Sequence, residues 1–135
     1  MRKTIEKLIV EEHVDTFLFG SRGRFNSLCL ELVTEIKEKY THIKRIYVRA
    51  EYPYINEHYK NYLLEKYDDT YFPKKIINAG KASYIERNYE MIEKSHYCVA
   101  YYDQSPVSPD QKSGTKIAWE HAIKKGKHVI NVFTP

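Results

Sequence analysis

The chain has 135 residues, of which 42% are hydrophobic and 30% are charged, and its net charge is +4. This length and composition predict one globular domain over residues 1–135 with a real core, and they exclude a disordered chain. No apolar run is long enough to cross a bilayer, and the mixed charges of residues 1–7 are unlike a signal peptide. We therefore expect a cytoplasmic protein without a membrane partner.

The two cysteines, Cys29 and Cys98, are too few for a disulfide framework and have no metal-type spacing. Both fall on apolar faces, which predicts buried, reduced thiols. The densest basic stretches, 37–44 and 124–127, coincide with predicted helix ends, where cations complement the helix dipole. The 13 tyrosines keep nucleic-acid binding open as an alternative, although no RNA- or DNA-binding motif occurs.

Hydrophobic periodicity predicts the elements of the first half of the chain. Ile5, Leu8 and Ile9 recur at helical spacing, and a longer 3.6-residue period runs from Phe25 to Tyr40. Short apolar or β-branched runs indicate buried strands between these helices. The predicted elements are a helix at about 3–12, a strand at 16–19, a helix at 25–40 and a strand at 43–48.

The second half begins with a less regular stretch, 50–75, in which Pro53 and Pro73 interrupt the pattern. Further on, Ser83 is a predicted N-cap, and Gly126 has the place of a glycine that ends a helix. The predicted elements are a helix at 59–67, a strand at 70–72, a helix at 84–94, a strand at 97–102, a helix at 115–125 and a strand at 129–133.

Alternating strands and helices predict an α/β fold. We expect a Rossmann-like three-layer sandwich, with a mainly parallel central sheet of about five strands and helices on both faces. In open α/β sheets, ligands bind beyond the carboxyl ends of the strands. The loops that follow the predicted strands are therefore the candidate binding loops.

The first candidate loop follows the strand at 16–19 and contains Gly20, Ser21, Arg22 and Gly23. Its glycines would let the backbone approach a phosphate, and the next helix, which carries Asn26, would present free N–H groups. The loop has neither the G-x-G-x-x-G fingerprint nor the Lys-Ser/Thr of a P-loop. A plain strand-to-helix turn is the alternative interpretation.

The second candidate loop is Ser113, Gly114 and Thr115, at the start of the last predicted helix. It again combines hydroxyls and a glycine at a helix N-terminus. Simple capping of the helix by one hydroxyl is the alternative. Together the two loops predict a two-sided cradle for phosphate or ribose.

Two further positions extend this candidate site. Arg49 and Glu51 follow the second strand, where an acidic residue can accept from ribose hydroxyls, although a surface salt bridge explains them equally well. Arg87, beside Asn88, lies one turn into its helix, where the dipole disfavours a cation. That mismatch suggests a binding role, with a surface arginine as the alternative.

Catalytic motifs are missing from the sequence. It contains no His-Glu-x-x-His, no nucleophile elbow and no Cys/His metal set, and its histidines are scattered. We therefore expect neither a metal nor a cofactor.

The ordered motifs of the chain resemble the SLOG superfamily, named for the DNA-processing protein Smf and the Lonely Guy cytokinin enzymes. The similarity covers about residues 14–133 and is nearest to small bacterial members of the Firmicutes type. It is carried by Phe17–Gly23, Ile46–Ala50, Glu86–Ile92, Ser113–Ala118 and Gly126–Asn131.

This resemblance implies a Rossmann-like domain that binds a nucleotide or a nucleotide derivative. In the superfamily, Lonely Guy enzymes cleave nucleoside monophosphates to base and ribose phosphate. Other members bind single-stranded DNA or sense signals such as ADP-ribose derivatives. Many form dimers or tetramers, so the resemblance also implies a homo-oligomer.

The chain departs from the enzymes of this superfamily at Ala118. Their motif places a glutamate three residues after the Gly-Thr pair, and alanine can neither act as a nucleophile nor stabilise charge on the sugar. We therefore expect a non-catalytic nucleotide sensor or sequestering module. The alternatives are a single-stranded nucleic-acid binder and a nucleotide-processing enzyme whose carboxylate comes from Glu51, Glu86 or Glu120.

Overall fold

A computed structural model describes residues 1–20, 23–109 and 113–134. The chain divides into two compact units, Met1–Lys75 and Ile76–Pro135. The first unit contains α1 (Arg2–Val10), β1 (Thr16–Phe19), α2 (Arg24–Lys37), β2 (Lys44–Val48), α3 (Glu57–Leu64) and β3 (Asp69–Tyr71). The second contains α4 (Ser83–Lys94), β4 (Tyr97–Ala100), α5 (Gly114–Lys124) and β5 (His128–Asn131), while short 3₁₀ helices occupy Lys74–Ile76 and Gly80–Ala82.

The α/β class is confirmed, but the strands form two small parallel sheets. β1, β2 and β3 are hydrogen-bonded in that order, and β4 pairs with β5. In the described residues the ladders thus do not form the expected central sheet of about five strands. In the first sheet, β3 lies at the edge beside β2 and spans only Asp69–Tyr71, ending two residues before Pro73. The assignment of residues 1–135 to one Rossmann-like domain stays a prediction.

The first predicted helices are confirmed, with shifted ends. In α1, Ile5, Leu8 and Ile9 are buried as their spacing predicts. The helix α2 stops at Lys37 rather than at Tyr40. Its last turn closes when the N–H groups of residues 39 and 40 both bond to the Ile36 carbonyl oxygen.

The core of the first unit lies between these two helices and the sheet. Ile36 is 0% exposed and stands on the buried face of α2 with Val33. The ring of Tyr67 packs against the same cluster and stacks on Tyr47, with ring centroids 5.1 Å apart. The remaining buried members are Ile5, Ile9, Phe19 and Ile43.

The irregular stretch contains the predicted helix and strand, each displaced along the chain. The helix α3 begins at Glu57, two residues before the predicted start, because the side chain of its N-cap, Asn56, accepts a hydrogen bond from the Tyr59 N–H. The helix ends at Leu64, so Tyr67 lies beyond it. The strand β3 starts one residue earlier than predicted, at Asp69.

In the second unit, Ser83 is the first residue of α4 and not its N-cap, because its hydroxyl donates to the Gly80 carbonyl oxygen. The helix α5 starts and stops one residue earlier than predicted, and Gly126 follows it with a φ of +70°, as the sequence predicts. The strand β4 is shorter than predicted because the Asn131 side chain bonds both main-chain groups of Tyr102, which ends the ladder.

Candidate functional site

The carboxyl edge of the first sheet brings two of the predicted loops side by side. In the parallel ladder of β1 and β2, Phe19 is the register partner of Tyr47. Neighbouring strands lie about 4.8 Å apart. Gly20, which follows Phe19 and is buried, and Arg49, which follows β2, therefore leave the sheet next to each other. Both loops therefore lie at the carboxyl edge of the first unit's sheet.

The loop after β1 leads directly into α2. Gly23 is the N-cap, in an extended conformation, and glycine has no side-chain oxygen to accept from the first turn. The first turn contains no acidic residue, and Arg24 at its start is exposed. The N-terminal end of α2 therefore has the partial positive charge that attracts an anion. Ser21 and Arg22, also predicted ligands, lie outside the described residues.

Asn26 is directed to the protein interior. Its side chain hydrogen-bonds to the phenol of Tyr67, and this bond lowers the pKa of Tyr67. Burial and the nearby Tyr47 outweigh that effect, so the pKa of Tyr67 is raised overall. Asn26 thus positions a core tyrosine, and a ligand would have to compete for it.

Arg49 is a buried cation, with only 8% of its surface exposed. Its Nε donates to the Tyr52 carbonyl oxygen at 3.2 Å, and its Nη1 donates to Thr70 Oγ1 at 3.1 Å. Burial lowers its pKa from the ordinary value, against the opposing influence of Tyr59, Tyr47 and Asp69. The described residues engage two of the five guanidinium N–H donors of Arg49. The remaining N–H groups of this guanidinium can donate to a ligand.

Glu51 lies between Arg49 and Tyr52 along the chain and is half-buried. It occupies the loop that carries the aromatic residues after β2. The predicted role of Glu51 as an acceptor for ribose hydroxyls stays a prediction.

An open cleft, which no sequence motif predicts, follows β2. Its volume is about 400 Å³, in the range of small-molecule sites. The sequence signal for this cleft is the density of tyrosines in residues 52–62. The cleft is lined by Tyr52, Tyr54, Ile55, Asn56 and Tyr59.

Among the predicted arginines, Arg87 lies in the second unit. Arg87 is 3% exposed, in contrast to the surface alternative, and its Nε donates to Asn88 Oδ1 at 2.9 Å. The guanidinium carbon lies 5.8 Å from the centroid of the Tyr84 ring, within cation–π range. One turn further along α4, Glu90 is buried as well. Arg87 and Asn88 are therefore paired with each other in the protein interior.

The predicted loop at the start of α5 caps its helix. Ser113 is the N-cap, and its Oγ accepts a hydrogen bond of 3.2 Å from the Thr115 N–H. Gly114 is exposed and is the first residue of the helix. The capping alternative is thus realised. This loop belongs to the second unit and residues 20–23 to the first, so the two-sided cradle stays a prediction.

Two of the carboxylates considered for catalysis, Glu120 and Glu86, lie on different helices of the second unit. Glu120 is exposed and pairs with Lys116 at 3.7 Å along α5. Glu86 lies in the first turn of α4, where a negative charge is favoured by the dipole. Ala118 is half-buried in α5. Among the described residues, no group of three or more His, Cys, Asp or Glu side chains could hold a metal ion.

The helices formed by the described residues are all too short or too polar to span a bilayer. No protein-family model matches the chain, and no curated protein matches its sequence.

Proposed function

We propose that this chain binds a nucleotide or a nucleotide derivative and acts as a sensor or sequestering module rather than as an enzyme. The observation that carries the proposal is that Arg49 and the loop leading to the α2 N-terminus leave neighbouring strands at one edge of a parallel sheet. A helix N-terminus and a partly engaged guanidinium both favour a phosphate. The resemblance to the SLOG superfamily supports the same ligand class.

The non-catalytic part of the proposal is supported by Ala118. A glutamate at that position would supply the carboxylate that N-glycosidic cleavage needs, and alanine has none. Of the glutamates that could replace it, Glu120 is already paired with Lys116 on the surface of α5. The residues are thus better suited to holding a nucleotide than to cleaving it.

Isothermal titration of the full chain against nucleoside mono-, di- and triphosphates, cyclic nucleotides and ADP-ribose tests the binding. We expect at least one of them to bind, with a dissociation constant that increases with salt. A folded protein that binds none of them would overturn the proposal. Release of free base, detected by chromatography and abolished in Glu51→Gln, would replace the sensor with an enzyme.

A pair of substitutions at Gly23 tests where the phosphate binds. Asp and Asn are both good N-caps, so either should keep or increase the stability of α2. The carboxylate of Gly23→Asp would also occupy the anion position with a like charge. We expect Gly23→Asp to weaken nucleotide binding at least about tenfold more than Gly23→Asn. Equal affinities of the two variants would remove the α2 N-terminus from the site.

A further inference from the structure

The cleft after β2 has aromatic walls that the structure holds in place. Tyr52 has a φ of +60°, which is unfavourable for a residue with a bulky side chain. The Arg49 Nε bond to its carbonyl oxygen holds this conformation. Backbone strain of this kind persists only where the surroundings fix it, and it is concentrated at ligand sites.

The rings of the cleft have defined contacts. Tyr52 meets Tyr59 edge to face, with ring centroids 5.9 Å apart and an interplanar angle of 87°. On α3, the Tyr59 ring is also nearly parallel to that of Tyr62, at 6.2 Å. The wall formed by Tyr52 and Tyr59 is therefore fixed from two sides, by a main-chain hydrogen bond and by ring packing.

Tyr54 is more exposed than the other two tyrosines of the cleft. It is 84% exposed although it lines the cavity, and among the described residues it has no aromatic neighbour at ring-contact distance. A planar ligand in the cleft would cover this ring. Burial of such a ring is favourable by the hydrophobic effect and by stacking.

Asn56 adds a directional group to the apolar walls. Its Oδ1 accepts from the Tyr59 N–H at 2.8 Å, which fixes the orientation of the amide. The amide NH₂ is then the group of this side chain left to face a ligand, and it can only donate. It would recognise an acceptor, such as a ring nitrogen or a carbonyl oxygen, on the edge of a heterocycle.

We propose that this tyrosine cleft (Tyr52, Tyr54, Ile55, Asn56 and Tyr59) is the subsite that binds the base of the nucleotide. The inference rests on the proposed function and extends it to base recognition. The cleft and the α2 N-terminus belong to the same unit, and the loops that carry them leave neighbouring strands at one sheet edge. The phosphate would bind at α2 and the base would stack on tyrosine.

Titration of matched ligands separates base recognition from phosphate recognition. The probes are AMP, GMP, CMP and UMP, the corresponding four nucleosides, and ribose 5-phosphate, which lacks a base. We expect at least one monophosphate to bind at least about fivefold more tightly than ribose 5-phosphate, because stacking of one base contributes that much or more. If ribose 5-phosphate matches the best monophosphate, the base subsite is wrong while phosphate binding stands.

Variants assign the effect to the cleft. Tyr54→Ala should weaken the best monophosphate at least about fivefold and leave ribose 5-phosphate unchanged, whereas Tyr54→Phe, which keeps the ring, should bind like the native chain. The control is Tyr101→Ala, which removes a tyrosine of the second unit that is also exposed. Unchanged monophosphate affinity in Tyr54→Ala would overturn the subsite.

The remaining outcomes separate this inference from the proposed function. Nucleosides that bind in a Tyr54-dependent manner, with no gain from the phosphate, would support the cleft and overturn the phosphate site. Failure of all nine probes to bind would overturn both. Tyr54-dependent binding of poly(U) RNA far tighter than that of UMP would replace the base subsite with a platform for single-stranded nucleic acid.

Discussion

The Nε atom of Arg49 donates a 3.2 Å hydrogen bond to the main-chain carbonyl oxygen of Tyr52, a residue with a φ of +60°. One buried cation thereby connects β2 to the loop that carries the aromatic cleft. Through Nη1 it also bonds to Thr70, whose hydroxyl donates to the Tyr47 carbonyl oxygen at 2.8 Å. The loop after β2 is consequently held by the edge of the sheet.

Replacement of Arg49 by lysine tests this connection. Lysine keeps the charge but lacks the planar fork, so it cannot reach both acceptors. We expect Arg49→Lys to lower the free energy of unfolding by about 1–3 kcal/mol, measured by urea denaturation. The control Arg24→Lys changes an exposed residue and should alter stability by less than about 0.5 kcal/mol. Equal effects of the two substitutions would contradict the structural role of Arg49.

Asp68 should make stability depend on acid. Hydrogen bonds from the Arg45 side chain lower its pKa below the ordinary 3.8, with Arg45 Nε at 3.0 Å and a smaller contribution from Lys37 at 3.7 Å. A carboxyl group whose pKa is lower in the folded than in the unfolded protein stabilises the fold at pH values above its unfolded-state pKa. For Asp68 this stabilisation is lost as the pH falls from 3.8 through the lower pKa of the folded state.

Asp68→Asn should therefore cost about 1 kcal/mol near neutral pH, since the pair is partly solvated. The denaturant midpoints of Asp68→Asn, measured between pH 7 and pH 2.5, should approach those of the native chain as the pH falls. Asp15→Asn is the control, because that carboxylate bonds to the hydroxyl of the adjacent Thr16. A difference that is constant with pH would contradict the Arg45–Asp68 interaction.

Two positions on α2 compare the buried and exposed faces of one helix. Ile36 is 0% exposed, and Leu28 is 46% exposed. Ile36→Ala leaves a cavity in the core and should destabilise the protein by about 2–5 kcal/mol, whereas Leu28→Ala should cost less than about 0.5 kcal/mol. Chemical denaturation followed by circular dichroism measures both. A cost of Leu28→Ala similar to that of Ile36→Ala would show that α2 packs through a different face.

The thiol of Cys29 should react slowly. Its burial raises the pKa from 9.0 to about 11, so the reactive thiolate is scarce near neutral pH. In a Cys98→Ser background we expect the rate with iodoacetamide at pH 8 to be at least about tenfold below that of an exposed thiol, allowing for its greater nucleophilicity. The reference is the variant Ser27→Cys with Cys29→Ser, which places the thiol at the exposed position 27 of the same helix. Equal rates would contradict burial.

Asn131 should stabilise the loop after β4. Its Oδ1 accepts from the N–H groups of Tyr102 and Phe133 at 3.0 and 3.1 Å, and its Nδ2 donates to the Tyr102 carbonyl oxygen at 2.9 Å. Asn131→Ala leaves these groups unpaired and should cost about 2 kcal/mol.

The single tryptophan, Trp119, reports on this loop, because its ring lies 5.1 Å from that of Tyr102. Its fluorescence in urea should therefore show the lower midpoint of Asn131→Ala. Asn131→Asp is the comparison, since a charged carboxylate cannot donate to the carbonyl oxygen of Tyr102. Its cost should shrink at low pH, where a protonated carboxyl can donate again. An unchanged midpoint in Asn131→Ala would disprove the stabilising role.

Part of the candidate site could be predicted from the sequence. Gly20, Gly23 and Arg49 were identified by their positions after strands, and the structure brings their loops to one sheet edge. The same reasoning predicts Asn26 as a ligand-binding residue, but its side chain bonds to Tyr67. Position after a strand predicts which loop is near a site. It does not predict the direction of a side chain, which depends on a partner far along the chain.

By itself, the sequence determined the kind and approximate place of the α-helices and strands that the structure describes, because hydrophobic period and end signals act between neighbouring residues. The buried face around Ile36 and the glycine after α5 followed from such local rules. Only the tertiary structure decided the division of the strands into two sheets and the tyrosine cleft. The hydrogen bonds of Arg49 with Thr70 and of Asn131 with Tyr102 join residues 21 and 29 positions apart. No local pattern encodes such pairs, since they form only when distant segments pack together.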